Sequence, residues 1–142
     1  MSFPELLAKW LKGHRDAIAL VLMVHDVVEI WDDLIDKDKE VAPEDINRVF
    51  RTALIELPRN PFYAENFGAL NTIIESAIFD WHTANAFEAS RTHLETAFGL
   101  RCTIQSVTII CARIVGGPVW AQSVSNEIRS IGESYAEYVG EQ

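Results

Sequence analysis

His25-Asp26-x-x-Glu29-x-x-Asp32-Asp33-x-x-Asp36 places an imidazole and a row of carboxylates at helical spacing. At about 100° per residue they fall within an arc of about 120°. Met23, Val24, Val27, Val28, Ile30, Trp31, Leu34 and Ile35 occupy the rest of the circumference, so the helix reads as mostly buried. Carboxylates three and four residues apart repel one another and resist ionisation together unless a cation answers them. No lysine or arginine is interleaved among them. A divalent ion is the simplest answer, and all-oxygen ligands favour Mg²⁺ or Mn²⁺. The competing reading is a solvated acidic face. Glu29, Asp32 and Asp36 form the centre of the arc, with Asp26 and Asp33 at its edge. Asp38, Glu40, Glu44 and Asp45 are assigned to solvent.

A metal site needs groups from a second element. The segment from Pro61 to Ala89 has an apolar face through Leu70, Ile73, Ile74, Ala77, Trp81 and Ala84, and Asn85 and Glu88 fall on it. A polar pair on a core-facing side is costly without partners. Asn71, Glu75 and His82 line the flank. The alternative is that Asn85 and Glu88 lie where the bundle opens to water. Arg101 shares a face with Leu94, Ala97, Phe98 and Gln105; it either neutralises carboxylates, holds an anionic substrate or makes a structural salt bridge. Arg48 and Arg51 are further candidates. The resulting metal candidates are Asp32, Asp36, Asp33, Glu29 and Glu88. The substrate-binding candidates are His25, Asn85, Arg101 and His82.

Asp32-Asp33-Leu34-Ile35-Asp36 resembles the DDxxD motif of the class I isoprenoid synthases, the all-α prenyl-diphosphate and terpene synthases. The likeness extends upstream to His25, seven residues before the first aspartate, and covers roughly 20 residues. It implies that Asp32 and Asp36, assisted by Asp33, bind Mg²⁺ ions that grip a substrate diphosphate. Carboxylates at i,i+4 project side by side and can share such ions. Lys39-Glu40-Val41 stands where prenyl synthases carry Arg-Arg-Gly, and no second DDxxD exists. The stretch from Asp80 to Glu88 is only loosely similar to the NDxxSxxxE-type motif, with Ala84 at its middle position. Such a motif reads the diphosphate and not the hydrocarbon.

Two other readings stand beside this one. Glu29-x-x-Asp32 is similar to one metal-binding pair of the all-α nucleoside triphosphate pyrophosphatases of the MazG and dimeric dUTPase type; Glu75 and Asp80, five apart, break the face that a second pair would need. A homodimer would complete such a site. The third reading is a non-enzymatic helical interaction or adaptor protein, with tryptophans and an amphipathic final helix forming an interface. His25-Asp26 is similar to the HD phosphohydrolase doublet, but only His14 lies upstream. A di-iron bundle would need two Glu-x-x-His motifs, and none is present.

The elements that must carry these groups are helical throughout, for no stretch alternates as a strand. About six helices are expected: Pro4 to Lys12, Arg15 to Asp36, Pro43 to just before Pro58, Pro61 to Ala89, Arg91 to Val115 and Pro118 to Val139. Gly116-Gly117-Pro118 is the strongest break. The expectation is an all-α helical bundle, one domain over residues 1–142. The chain has 142 residues, 49% of them hydrophobic, and a net charge of −9, a globular composition. That charge repels nucleic-acid backbones. Cys102 and Cys111 lie about 13 Å apart along one helix, too far for a disulfide, and read as reduced thiols. The apolar runs Ala17–Val24 and Val107–Val115 are too short to span a bilayer. No secretory signal is visible, and a cytoplasmic, membrane-free protein is expected.

Overall fold

The computed structural model describes residues 1–37 and 39–142; Asp38, assigned above to solvent, lies outside them. Among the described residues every regular element is helical. The chain gathers into two compact units, Met1–Phe67 and Gly68–Gln142.

In the first unit, α1 (Phe3–Trp10) opens on a capping box in which Ser2 and Glu5 satisfy each other's backbone N–H groups. It stops two residues before the expected Lys12. Gly13 N–H reaches back to the Ala8 carbonyl and Lys12 N–H to Lys9. Lys12 and Gly13 both take positive φ, a Schellman ending. The second helix, α2, has the expected limits, Arg15–Asp36. His14 caps it, Nδ1 accepting from Ala17 N–H at 3.2 Å, and left-handed Lys37 closes it.

The helix expected to stop before Pro58 instead runs past it. After α3 (Pro43–Arg51) the backbone widens into a π turn over Thr52–Glu56, then tightens into α4 (Leu57–Arg59). Pro58 has no N–H and would strike the carbonyl four residues back. The wider turn, with Leu57 N–H on the Thr52 carbonyl, accommodates it. Asn60 caps α5 (Pro61–Glu65) through Tyr63 N–H at 2.9 Å, and its amide donates to the Asp16 carbonyl at 2.9 Å. That bond ties the start of α5 to the start of α2. The core holds Leu7, Trp10, Leu20, Val21 and Phe62, with α2 against α1, α3 and α5. Burial in α2 is confined to its first half; Leu34 and Ile35 are exposed.

In the second unit α6 (Phe67–Ser90) begins after Asn66, whose side chain takes up the Phe62 carbonyl. This is the local competition by which asparagine interrupts a helix, and it divides the segment expected to run unbroken from Pro61. Arg91 and His93 adopt left-handed backbone, so α7 (Leu94–Leu100) starts late. The expected fifth helix is broken again at Arg101–Cys102, before α8 (Thr103–Arg129). Within α8, Gly117 sits at φ 88°, ψ 171°, a region essentially reserved for glycine. It reverses the chain: Arg129 donates to the Cys102 carbonyl at 3.3 Å and to Ser106 Oγ at 3.2 Å, although a straight helix would hold those ends about 40 Å apart. Gly116 is needed too, because a Cβ there would run into the Trp120 ring.

The final helix does not continue to Val139 from Pro118. It ends at Arg129, turns through Gly132 at positive φ, and restarts as α9 (Tyr135–Gly140) behind a second capping box, Ser134 with Glu137. Ala84, Ala97 and Tyr138 form a core cluster, with Phe87, Leu94, Phe98 and Leu100 packed on it. Both cysteines are free, and burial pushes the Cys111 thiol up to about 12. By length and composition alone Leu94–Arg129 is apolar enough to cross a membrane, with Arg113 and the Gly117 reversal inside it.

Gly117→Ala is expected to destabilise the protein by about 1–3 kcal/mol, read as a lower urea midpoint. An unchanged midpoint would show that the reversal does not depend on glycine's backbone freedom.

Candidate functional site

The acidic stripe of α2 acquires its counter-charges from the segments that follow it. Arg48, one helix on, forks onto Asp26, Nε to Oδ2 and Nη2 to Oδ1, both at 2.9 Å. It also bonds Asp45. These two carboxylates hold the guanidinium above its ordinary range. Asp45 was assigned to solvent and is instead part of this cluster. Lys39 Nζ lies 3.2 Å from Asp33 Oδ2, and only 15% of the Asp33 side chain is exposed. His25 Nε2 stands 3.7 Å from Glu29 Oε1, with its ring 5.3 Å from Phe3. Cations were absent from the stripe in sequence because they enter from other turns of the chain. Asp32 is half-buried, while Glu29 and Asp36 are exposed.

Asp32, Asp33 and Asp36 all fall in the last turns of α2, where no basic residue of the helix itself answers them. That end carries the negative pole of the helix dipole, so the backbone adds to their demand for positive charge. Among the described residues no three His, Cys, Asp or Glu side chains converge as a metal-holding group.

Asn85, Glu88 and Arg101 do come together, in the second unit. Arg101 Nε donates to Glu88 Oε2 at 3.1 Å, and Nη2 bonds both Glu88 Oε1 and Asn85 Oδ1 at 2.5 Å. The guanidinium carbon lies 5.2 Å from the Trp81 ring centre, a cation–π stacking. Tyr138 Oη donates to Glu88 Oε2 at 2.6 Å. Both Glu88 oxygens are therefore used within the unit, and Arg101 is a partner of the kind that the Asn85–Glu88 pair required. The fork is only about one-fifth exposed on either side, where bidentate geometry holds both partners firmly. It also secures Arg101 at the α7–α8 break. His82 is exposed and sits edge-on to Trp81, 5.6 Å between centres.

The sequence places Tyr138 only within the amphipathic final helix expected from Pro118 to Val139. The missed signal is chemical: a buried tyrosine must find a partner for its hydroxyl. Burial, then the Glu88 bond, raises the phenol well above its usual range. Nearby, Glu133 is held above its ordinary carboxyl value by partial burial and by Glu141, with smaller contributions from Glu137 and Glu88.

The sequence matches no protein-family model and no curated protein, and the fold matches no solved structure.

Tyr138→Phe leaves the Glu88 carboxylate one donor short and is expected to cost about 1–2 kcal/mol in urea unfolding; no loss would mean that the hydroxyl adds nothing. Glu133 has a raised folded pKa, so its contribution is fully present below the unfolded value and is lost as pH rises through the folded one. Glu133→Gln should therefore raise the melting temperature at pH 7 and leave it little changed at pH 4. The reverse pattern would contradict the sign of this coupling.

Proposed function

We propose that the C-terminal end of α2 binds a divalent cation, Mg²⁺ or Mn²⁺, through Asp32 and Asp36, and that the cation grips a diphosphate-bearing small molecule. The observation that supports this most is the unbroken run of α2 to Asp36. It holds the two carboxylates one turn apart on one face, at the helix's negative pole. The ion pair of Lys39 with Asp33 supports the same reading, since this end already holds one positive charge. Mg²⁺ commonly uses one or two carboxylates and completes its shell with substrate phosphate and water, so a cage of three protein ligands is not required. Asp33 assists, and Glu29 and His25 flank the site one and two turns back. A homodimer, in a cytoplasmic setting, is the assembly that suits this reading. A nucleoside triphosphate in place of the diphosphate would make the site pyrophosphatase-like, with Glu29 and Asp32 as its pair.

A second reading, a helical interaction protein, is favoured by a separate observation. Ile46, Phe50 and Leu54, spaced four apart on α3 and the π turn, are all exposed, Phe50 at 67%. A continuous apolar stripe in water marks a surface for another protein.

Thermal unfolding with Mg²⁺ and inorganic pyrophosphate separates the readings. At ten times the dissociation constant the expected rise is about 3–6 °C, absent in Asp32→Asn/Asp36→Asn. A nucleoside triphosphate giving the larger rise, with pyrophosphate released, would favour the pyrophosphatase form. No rise in either case, together with concentration-dependent sedimentation, would favour the interaction protein.

A further inference from the structure

A cavity of about 130 Å³ in the second unit carries polar chemistry that neither the α2 stripe nor the Arg101 network uses. One wall is a single face of α6, on which Ile73, Ser76, Ala77 and Asp80 follow at helical spacing. The other is the junction of α7 and α8, where Leu100 and Thr103 line it. Both walls thus mix apolar groups with hydroxyls, and α6 adds a carboxylate.

Asp80 sets the chemistry. It is half-buried, and among the described residues no hydrogen bond or ion pair reaches its carboxylate. The arginines beside the cavity are engaged elsewhere. Arg101 forks onto Glu88, and Arg129 donates to the Cys102 carbonyl and Ser106 Oγ. A carboxylate partly withdrawn from water favours a cation beside it. The apolar lining groups, Ile73, Ala77 and Leu100, favour a short hydrocarbon. A cavity of about 150 Å³ accommodates benzene, so the occupant has about five or six heavy atoms.

We propose that this cavity binds a small primary ammonium ion, its N–H groups donating to Asp80 and the Ser76 hydroxyl, its alkyl chain against Ile73, Ala77 and Leu100. Among the described residues no cation pairs with Asp80, and a primary ammonium brings both the charge and the donors. A neutral molecule of the same shape would meet the apolar groups and leave the carboxylate unanswered.

The test is titration of the full chain with n-butylammonium chloride, followed by amide chemical shifts. n-Butanol is the neutral match, and sodium chloride the ionic-strength control. Saturable shifts confined to residues 73–80 and 99–106 are expected, with a dissociation constant of about 1 mM. Binding should weaken about tenfold for n-butanol and for Asp80→Asn. Should the variant not fold, the butylammonium-to-butanol ratio on the unaltered chain decides. Equal binding of the two probes, shifts reproduced by sodium chloride, or no saturable shift would each overturn the proposal.

Discussion

Carboxylates crowded at the negative end of a helix must be met by positive charge, and the arrangement around α2 follows from that demand. Each acid added to the last turns of α2 meets both its neighbours and the helix dipole. The chain answers part of this with Arg48 on Asp26 and Lys39 on Asp33. Both cations come from beyond the helix, so α3 and the segment after α2 are positioned by the same charges. The capping of α2 by His14 and the Asn60 bond to Asp16 hold its opposite end. Between those anchors α2 runs unbroken from Arg15 to Asp36.

The second unit satisfies a comparable demand by a different route. Glu88 is placed among apolar side chains, and its two oxygens receive Arg101 and Tyr138. Removing either donor leaves a half-buried charge short of partners, which costs more than the bond gained. This network joins α6, the α7–α8 break and α9. At the α2 end the charge beside Asp33 is a lysine, a point charge on a flexible stem rather than a planar fork.

Helix type and the starts of α2, α3 and α5 were legible in the sequence, since they rest on local chemistry. Pro43 and Pro61 stand at first turns, and Arg15–Asp36 has the limits its apolar period and flanking residues imply. The capping box at Ser134 and Glu137 was equally local, but it lay inside the single helix expected from Pro118 to Val139. The π turn before Pro58 could not be read in advance, because proline can either stop a helix or widen it. The site was less legible. Spacing identified the α2 carboxylates and the Asn85–Glu88 pair, yet spacing along one helix says nothing of which cation arrives from another. Arg48 was already a candidate, but its pairing with Asp26, like those of Lys39 and Tyr138, crosses turns and loops, so tertiary structure alone reveals the partners.

The proposal that Asp32 and Asp36 hold a divalent cation is tested most directly by anomalous scattering from crystals grown with Mn²⁺ and pyrophosphate. The predicted result is a manganese peak within about 2.5 Å of carboxylate oxygens of both residues, with pyrophosphate density on its far side. Strong data with no peak at the end of α2, and Lys39 still on Asp33, would contradict it.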